Sequence, residues 1–338
     1  MRLLRFVIIE SAMAKWQVAR RRPNVDLVLD LAIIGVEDHM SRRSALPLHP
    51  QQGHFLFEQE DSLASDPTPP GSEVDPAVLF DALSDNFLSY YGTVRGIVRR
   101  EVIRSNLGRY LAPCQPLRIL DVGCGEGLDA LWLVQCGYHV TGIDPSEKML
   151  NAARQRASRL RPTDRRRLDL RVADDRKVLK VFGANSFDVI LCHGVIMYQA
   201  DPESFVANLS SVLRPHGILS LVTKNAGALA YRSAAERQFD DARRLLSSGG
   251  KSVGRLGVET KGHTMPELCA LLEKHSLKTE HWFGVRVFSD SLSDSLTVKG
   301  LQELVELESA ASCVDPYRHS ARLLQAVATK RPRSIHNS

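Results

Sequence analysis

Ten residues, Arg118-Ile-Leu-Asp-Val-Gly-Cys-Gly-Glu-Gly127, constrain this chain more than any other stretch. Arg118 to Val122 reads as a buried strand: after its first residue it is apolar apart from one acid, and it has no helical period. Gly123, Gly125 and Gly127 follow at once, and Leu128 to Cys136 then carries apolar residues at helical spacing. Strand, glycine-rich turn and helix in that order open a βα unit. Its turn must be tight, and its backbone must approach a ligand with no Cβ in the way. Three glycines alone do not say which ligand.

The rest of the chain continues the alternation. Strands are expected at His139–Asp144, Leu168–Ala173, Phe187–Gly194 and Ile218–Thr223, with Phe187–Gly194 continuous and largely apolar as a central parallel strand should be. Helices are expected from Pro145 to about Leu160, from Asp201 to Leu213 and from Pro266 to His275. Arg214-Pro-His-Gly217 reads as a turn, Gly227–Gly254 as a helical then Gly/Ser-rich insertion or lid, and Leu277–Phe288 and Ala321–Ala328 as further strands. Upstream, residues 77–111 read as helices broken at Tyr91-Gly-Thr93. The pattern predicts an α/β fold, a Rossmann-like doubly wound sheet.

Residues 1–75 do not share this pattern. They hold eight Lys/Arg and eleven Asp/Glu, a net of −3 against +5 for the whole chain, which leaves +8 on the remainder. Their polar, proline-rich close, Asp66-Pro-Thr-Pro-Pro-Gly-Ser-Glu73, cannot bury enough surface to offset its ordering entropy. A disordered extension is expected, or an over-long start with Met13 or Met40 as the true initiator, with a regulatory arm as the alternative. The six cysteines are scattered without a C-x-x-C pair, so neither a metal site nor a disulfide framework is indicated. No apolar run is long enough to span a membrane, and Glu10 interrupts the short apolar start. A cytoplasmic protein is expected. The basic excess suits a polyanionic partner, and the arginine-rich run 154–171 reads as a solvated face or an RNA contact.

A nicotinamide dinucleotide calls for G-x-G-x-x-G with pyrophosphate at the helix N-terminus. Here the spacing is Gly123-x-Gly125-x-Gly127, and Glu126 sits at the helix start, where a fixed negative charge would repel pyrophosphate. Asp121 adds to that field, and together they suit a ligand bearing an ammonium and a sulfonium. Asp144, at the end of the second strand, stands where an acid meets ribose hydroxyls; capping the next helix is its other reading. These residues favour S-adenosylmethionine.

With these motifs the chain resembles class I S-adenosylmethionine-dependent methyltransferases over about residues 77–330, through Asp121–Gly127, Asp144, Asp174-Asp175, Phe187-Asp188 and Leu213–Leu221. Within that family it is similar to the bacterial tRNA 5-carboxymethoxyuridine methyltransferases. The stretches that carry this are Tyr91–Gly96, Leu191–Val195, Asn225-Ala226, Gly284–Asp290, Glu303–Glu308 and Asp315–Arg318. The resemblance implies a seven-stranded sheet in a methyltransferase domain at 76–330, with 331–338 a tail. It also implies that Arg99 reaches the cofactor carboxylate and that Gly123, Cys124 and Gly125 line the cofactor. Asp144 would take the ribose, Asp175 and Arg176 would flank the adenine, and His193 would lie near the methyl group. On spacing alone, Arg95 and Arg99 at i, i+4 are equally a solvated basic face.

The acceptor implied is the carboxylate of a modified wobble uridine, which is already an anion at neutral pH and needs no base. It needs a cation to hold it. Arg286 is the first candidate, unless it pairs with Asp290; Arg318 and Arg322 are the next, and Arg95 and Tyr317 complete the expected acceptor contacts. If the acceptor is instead the hydroxyl or amine of a small molecule, His193 is the candidate general base. Residues 231–262, where acceptor specificity is set, leave that second reading open.

Overall fold

The computed structural model describes residues 76–111, 115–253, 258–292 and 296–332. Residues 1–75, read above as an extension, lie outside the described residues, as does most of the 331–338 tail. Seven strands form one sheet: β1 (Arg118–Val122), β2 (His139–Asp144), β3 (Leu168–Val172), β4 (Phe187–His193), β5 (Leu213–Lys224), β6 (Leu277–Val285) and β7 (Leu323–Lys330). Their order is β3-β2-β1-β4-β5-β7-β6. Strands β1 to β5 run parallel, and β7 lies antiparallel between β5 and β6.

Parallel strands need helical crossovers, so both sheet faces are covered and both must be apolar. Alternation along β1 and β4 supplies this. Leu120, Val122, Ile190 and Cys192 join one core cluster, with Phe205 and Leu209 of α6 (Pro202–Val212) and Leu268 and Leu272 of α9 (Met265–Lys274). Ile119, Val189 and Leu191 join the other, with Leu107 of α2 (Val94–Leu107) and Leu133 and Val134 of α3 (Leu128–Gln135). Phe187 and Phe205, each at most 2 % exposed, stabilise their layer by about 2–3 kcal/mol apiece.

Local chemistry sets the helix ends. Between α1 (Pro76–Tyr91) and α2, the Thr93 hydroxyl accepts from Gly96 N at 3.1 Å, and this cap makes the break the sequence suggested. Helix α4 (Glu147–Ala157) is capped by Ser146, whose hydroxyl accepts from Met149 N at 3.1 Å. Asp144 is therefore not the cap, and the helix starts later than Pro145. Thr264 and Glu267 form a capping box at α9.

Two expectations are corrected and two regions are filled in. Arg214–Gly217 belongs to β5 instead of forming a turn; a register shift opposite Phe187/Val189 and His216 at φ 62° absorb the irregularity. Strand β6 stops at Val285 because Arg286 takes φ 64°, which an extended strand cannot continue. The 227–254 region holds two helices, α7 (Leu229–Ala235) and α8 (Phe239–Leu246), and then the strand Lys251–Val253, paired antiparallel with Glu259–Lys261. Helix α10 (Val298–Ala311) was not anticipated beyond its acidic motif. Helix α5 (Val178–Phe182) lies between β3 and β4.

Candidate active site

Because β1 to β6 end on the same edge and β7 begins there, one rim of the sheet gathers Gly123, Asp144, His193, Lys224, Arg286 and Arg322. Ligands of open α/β sheets bind at this carboxyl rim, beside the point where strand order reverses. Here that point lies between β1 and β4.

The glycine turn is shaped by need. Gly123 has φ 68°, and a Cβ there would lie 2.4 Å from Val195 Cγ2, so the loops after β1 and β4 meet only because it is glycine. Gly125 N donates to Asp144 Oδ2 at 2.8 Å, and Ser146 N donates to Asp144 Oδ1 at 2.9 Å. The acid thus joins the two loops and keeps its remaining lone pairs for a ligand. Burial pushes Asp144 up, against those two hydrogen bonds. Asp121 is 4 % exposed, and burial with Asp129 and Asp144 nearby pushes its carboxyl well up. A cationic ligand beside it would reverse that shift. The Cys124 thiol packs where a Gly142 side chain would otherwise stand, 2.9 Å from an added Cβ, and burial raises it, so it is inert.

Glu126 does not play the part the sequence suggested. It is 1 % exposed, and its carboxylate is paired with Arg156. Its charge is neutralised within the fold and not turned on a ligand. Selection against a dinucleotide rests on the turn spacing and the acids at 121 and 144.

Arg99 Nη2 donates to the His193 carbonyl at 2.8 Å, and its guanidinium forms no ion pair among the described residues. A mostly buried arginine with no carboxylate of its own is a place for a ligand's carboxylate. Asp175 is buried and accepts from Asn208 Nδ2 at 3.3 Å, whereas Arg176 is exposed and paired with Asp174 at 2.7 Å. Only Asp175 of that pair is turned into the fold.

His193 is placed differently from a general base. Nδ1 lies 3.3 Å from Asp129 Oδ2 and Nε2 lies 2.9 Å from Ser220 Oγ, so both ring nitrogens are engaged. The chain of bonds continues: Gln325 Nε2 donates to Ser220 Oγ at 3.1 Å, Asn106 Nδ2 to Gln325 Oε1 at 3.1 Å, and Arg104 Nε to Asp129 Oδ1 at 2.9 Å. Burial would raise the Asp129 carboxyl, but His193 and Arg104 more than offset it and hold it well below the usual carboxylate range. This network fixes the end of β4, and with it the carbonyl that orients Arg99.

Arg286 pairs with Asp290, Nε to Oδ1 at 2.7 Å, and Nη1 donates to Tyr90 Oη at 2.9 Å. The pairing alternative for Arg286 is the one observed. Glu308, fully buried, accepts from Val287 N, Phe288 N and Ser289 N at 2.7, 3.0 and 2.8 Å and so fixes the loop that carries Arg286 and Asp290. Arg322 Nε lies 3.9 Å from Asp290 Oδ2, and its backbone joins Asn225 on one side and Arg286 on the other. Arg318 is occupied elsewhere: it pairs with Asp315 at 2.8 Å and stacks 4.0 Å over Trp282. Tyr317 is half exposed, 6.0 Å from the Phe288 ring. Arg95 Nη2 reaches the Leu292 carbonyl at 3.5 Å. The structure thus gathers Arg99, Asp121, Asp144, His193, Arg286 and Arg322 on one rim and leaves Arg176, Tyr317 and Arg318 at its margin.

Sequence reasoning missed Asp129, Tyr90 and Lys224. Tyr90 and Lys224 each stand one residue before a stretch that marked the resemblance, Tyr91–Gly96 and Asn225-Ala226.

A methyltransferase-domain family model matches residues 120–221. The Escherichia coli tRNA 5-carboxymethoxyuridine methyltransferase is 31% identical over 256 residues, covering 74% of this chain and 95% of that protein. This chain belongs to the class I S-adenosylmethionine-dependent methyltransferases. A ubiquinone biosynthesis O-methyltransferase of Caulobacter vibrioides is 37% identical over 120 residues, 35% of this chain and 45% of that protein. Among solved structures, magnesium protoporphyrin IX methyltransferase from Synechocystis PCC 6803 superposes with a TM-score of 0.51 at 15% identity, covering 75% of this chain and 97% of that one, a likeness of fold. The methyltransferase cofactor is S-adenosylmethionine, and the rim suits it: buried Asp121 beside the glycine turn for its cationic part, buried Asp144 for its ribose hydroxyls, and Arg99 for its carboxylate. Among the described residues no group of three His, Cys, Asp or Glu is arranged to hold a metal ion, and no helix is long and apolar enough to cross a membrane.

Proposed function

We propose that this methyltransferase esterifies a carboxylate, that of a carboxymethoxyuridine in the tRNA anticodon. The observation that carries the reading is the charge of the rim beyond β4. There Arg286 and Arg322 share one acid, Asp290, and Lys224 stands beside Arg322, so the acceptor side carries more positive than negative charge. The extent of similarity to the E. coli enzyme, nearly its whole length, supports the RNA acceptor.

S-adenosylmethionine supplies a methyl group on a sulfonium. What the protein must add is alignment and exclusion of water. Arg99, Asp121 and Asp144 would hold the cofactor, with Asp175 towards the adenine. A carboxylate acceptor arrives ionised, and His193, with both nitrogens engaged, leaves no base in that position. Arg322 and its neighbours hold the anion without giving it a proton.

The test is transfer of labelled methyl groups to bulk tRNA from a host that lacks this methylation. Incorporation into tRNA is expected; none, with the protein folded and binding S-adenosylmethionine, overturns the reading. The second reading, a small-molecule O- or N-methyltransferase, is supported by the ubiquinone-pathway relative, whose match covers only about a third of this chain. It predicts label in a small-molecule extract and none in tRNA.

A further inference from the structure

Lys224 ends β5, opposite Leu323 of β7, and its carbonyl accepts from His263 N at 2.9 Å. Its ammonium donates to the Thr260 hydroxyl. Thr260 is 3 % exposed and donates its own proton to the Ser252 carbonyl at 3.0 Å, which leaves a lone pair fixed towards Lys224. One of the three ammonium hydrogens is thereby spent, and no carboxylate pairs with the group among the described residues. Its charged neighbour is another cation, Arg322. A half-buried ammonium held beside a guanidinium is unfavourable unless an anion joins them.

The geometry points to Lys224 as an acceptor-binding residue, whose ammonium, aimed by Thr260 and flanked by Arg322, takes the anionic group of the methyl acceptor. This rests on the reading of an anionic acceptor given above. The surrounding elements supply Arg322 just before β7, Arg286 and Asp290 after β6, and Lys251, Glu259 and Lys261 on the two paired short strands. Beyond those strands stand His263 and Glu267. Lys251 pairs with Glu259 at 3.6 Å and Arg286 with Asp290, so neither acid is left over for Lys224. Burial, with Arg322 beside it, lowers the Lys224 amine to about 8, within reach of an ordinary pH titration. The charged form is present below that value and lost above it. Binding of an anionic acceptor therefore falls as pH rises through about 8. An amine acting as a general base would give the opposite slope.

The experiment compares wild type, K224Q and K224R, each checked for folding by thermal melting and for S-adenosylmethionine affinity by calorimetry. With unmethylated tRNA as acceptor, K224Q is expected to raise KM about 10- to 100-fold, with cofactor affinity within about twofold of wild type. K224R restores most of the loss and removes the alkaline fall in kcat/KM. If tRNA is methylated but K224Q keeps the wild-type KM and pH profile, Lys224 does not bind the acceptor, while the proposed function stands. A wild-type kcat/KM that rises through about 8 and goes flat in K224Q makes Lys224 a base and also overturns the site. If wild-type enzyme leaves tRNA unmodified, the proposed function falls and the anion site is tested alone. Acetate is then titrated into the S-adenosylhomocysteine complex while the Lys224 ε-carbon resonance is followed by NMR. A saturable shift, absent when Arg322→Gln is introduced, sustains the site; an unmoved resonance removes it.

Discussion

Over β1 and β2 the rim presents Asp121 and Asp144, both buried and both raised by burial. Over β5, β6 and β7 it presents Arg286 and Arg322, both near Asp290, with Lys224 beside Arg322. The acidic half is made from one short stretch and the strand beside it: the glycine turn, its helix, and the residue that closes β2. The basic half is assembled from four distant segments, since Tyr90, Lys224, Arg286 and Arg322 meet only when β5, β7 and β6 lie side by side and α1 ends above them. The difference follows the chemistry each half has to recognise. The methyl donor is common to the family, and a local motif suffices for its cationic parts. The acceptor varies between members, so its site is built from segments that can change independently.

If the two halves are separable, each can be damaged alone. The largest effect is expected at Glu308, which touches neither ligand. Glu308→Ala leaves three backbone N–H groups around 287–289 without their acceptor and should cost about 3 kcal/mol of stability by chemical denaturation. The folded fraction should bind S-adenosylmethionine normally and tRNA poorly; loss of cofactor affinity in parallel would break the separation. Arg99→Ala does the converse. It should weaken S-adenosylmethionine by about 10- to 100-fold in calorimetry while tRNA affinity holds.

Asp129→Asn probes the network between the halves. The folded Asp129 carboxyl is depressed, so its contribution to stability is present above the unfolded value of about 3.9 and is lost as pH falls below it. The variant should lose about 1–2 kcal/mol at neutral pH. Its melting temperature should then fall less steeply than that of wild type between neutral and acid pH. The smallest effect is expected in the arginine run, where Arg154 pairs with Glu147, Arg156 with Glu126, and Arg161 and Arg167 with Asp164. Replacing the exposed Arg165 and Arg166 by Ala should change the KM for tRNA by less than about twofold. A larger change would make this run an RNA contact and extend the acceptor surface beyond the rim.

The same contrast explains what could be read beforehand. The strands from β1 to β4, the cofactor turn and Asp144 are legible because their signals are local: apolar runs, glycines at fixed offsets, an acid at a strand end. Glu126 was misread because charge is visible in a sequence and its partner thirty residues on, Arg156, is not. Arg286 carried two readings, acceptor cation or partner of Asp290, because the sequence does not show that the pair forms, and Lys224 was passed over because nothing in Thr223-Lys-Asn225 shows that no acid will stand beside it. Pairing is a tertiary property, and it decides whether a cation is a strut or a binding group.

The central claim is that the basic half of the rim receives a carboxylate. It is tested most directly by the chemical lability of the product. Methyl-labelled tRNA made by the enzyme is incubated in mild alkali and the volatile label is collected. An ester hydrolyses and releases the label as methanol, which is the predicted result. Label that stays on the RNA would mean transfer to a ring atom, amine or hydroxyl, and would contradict the account.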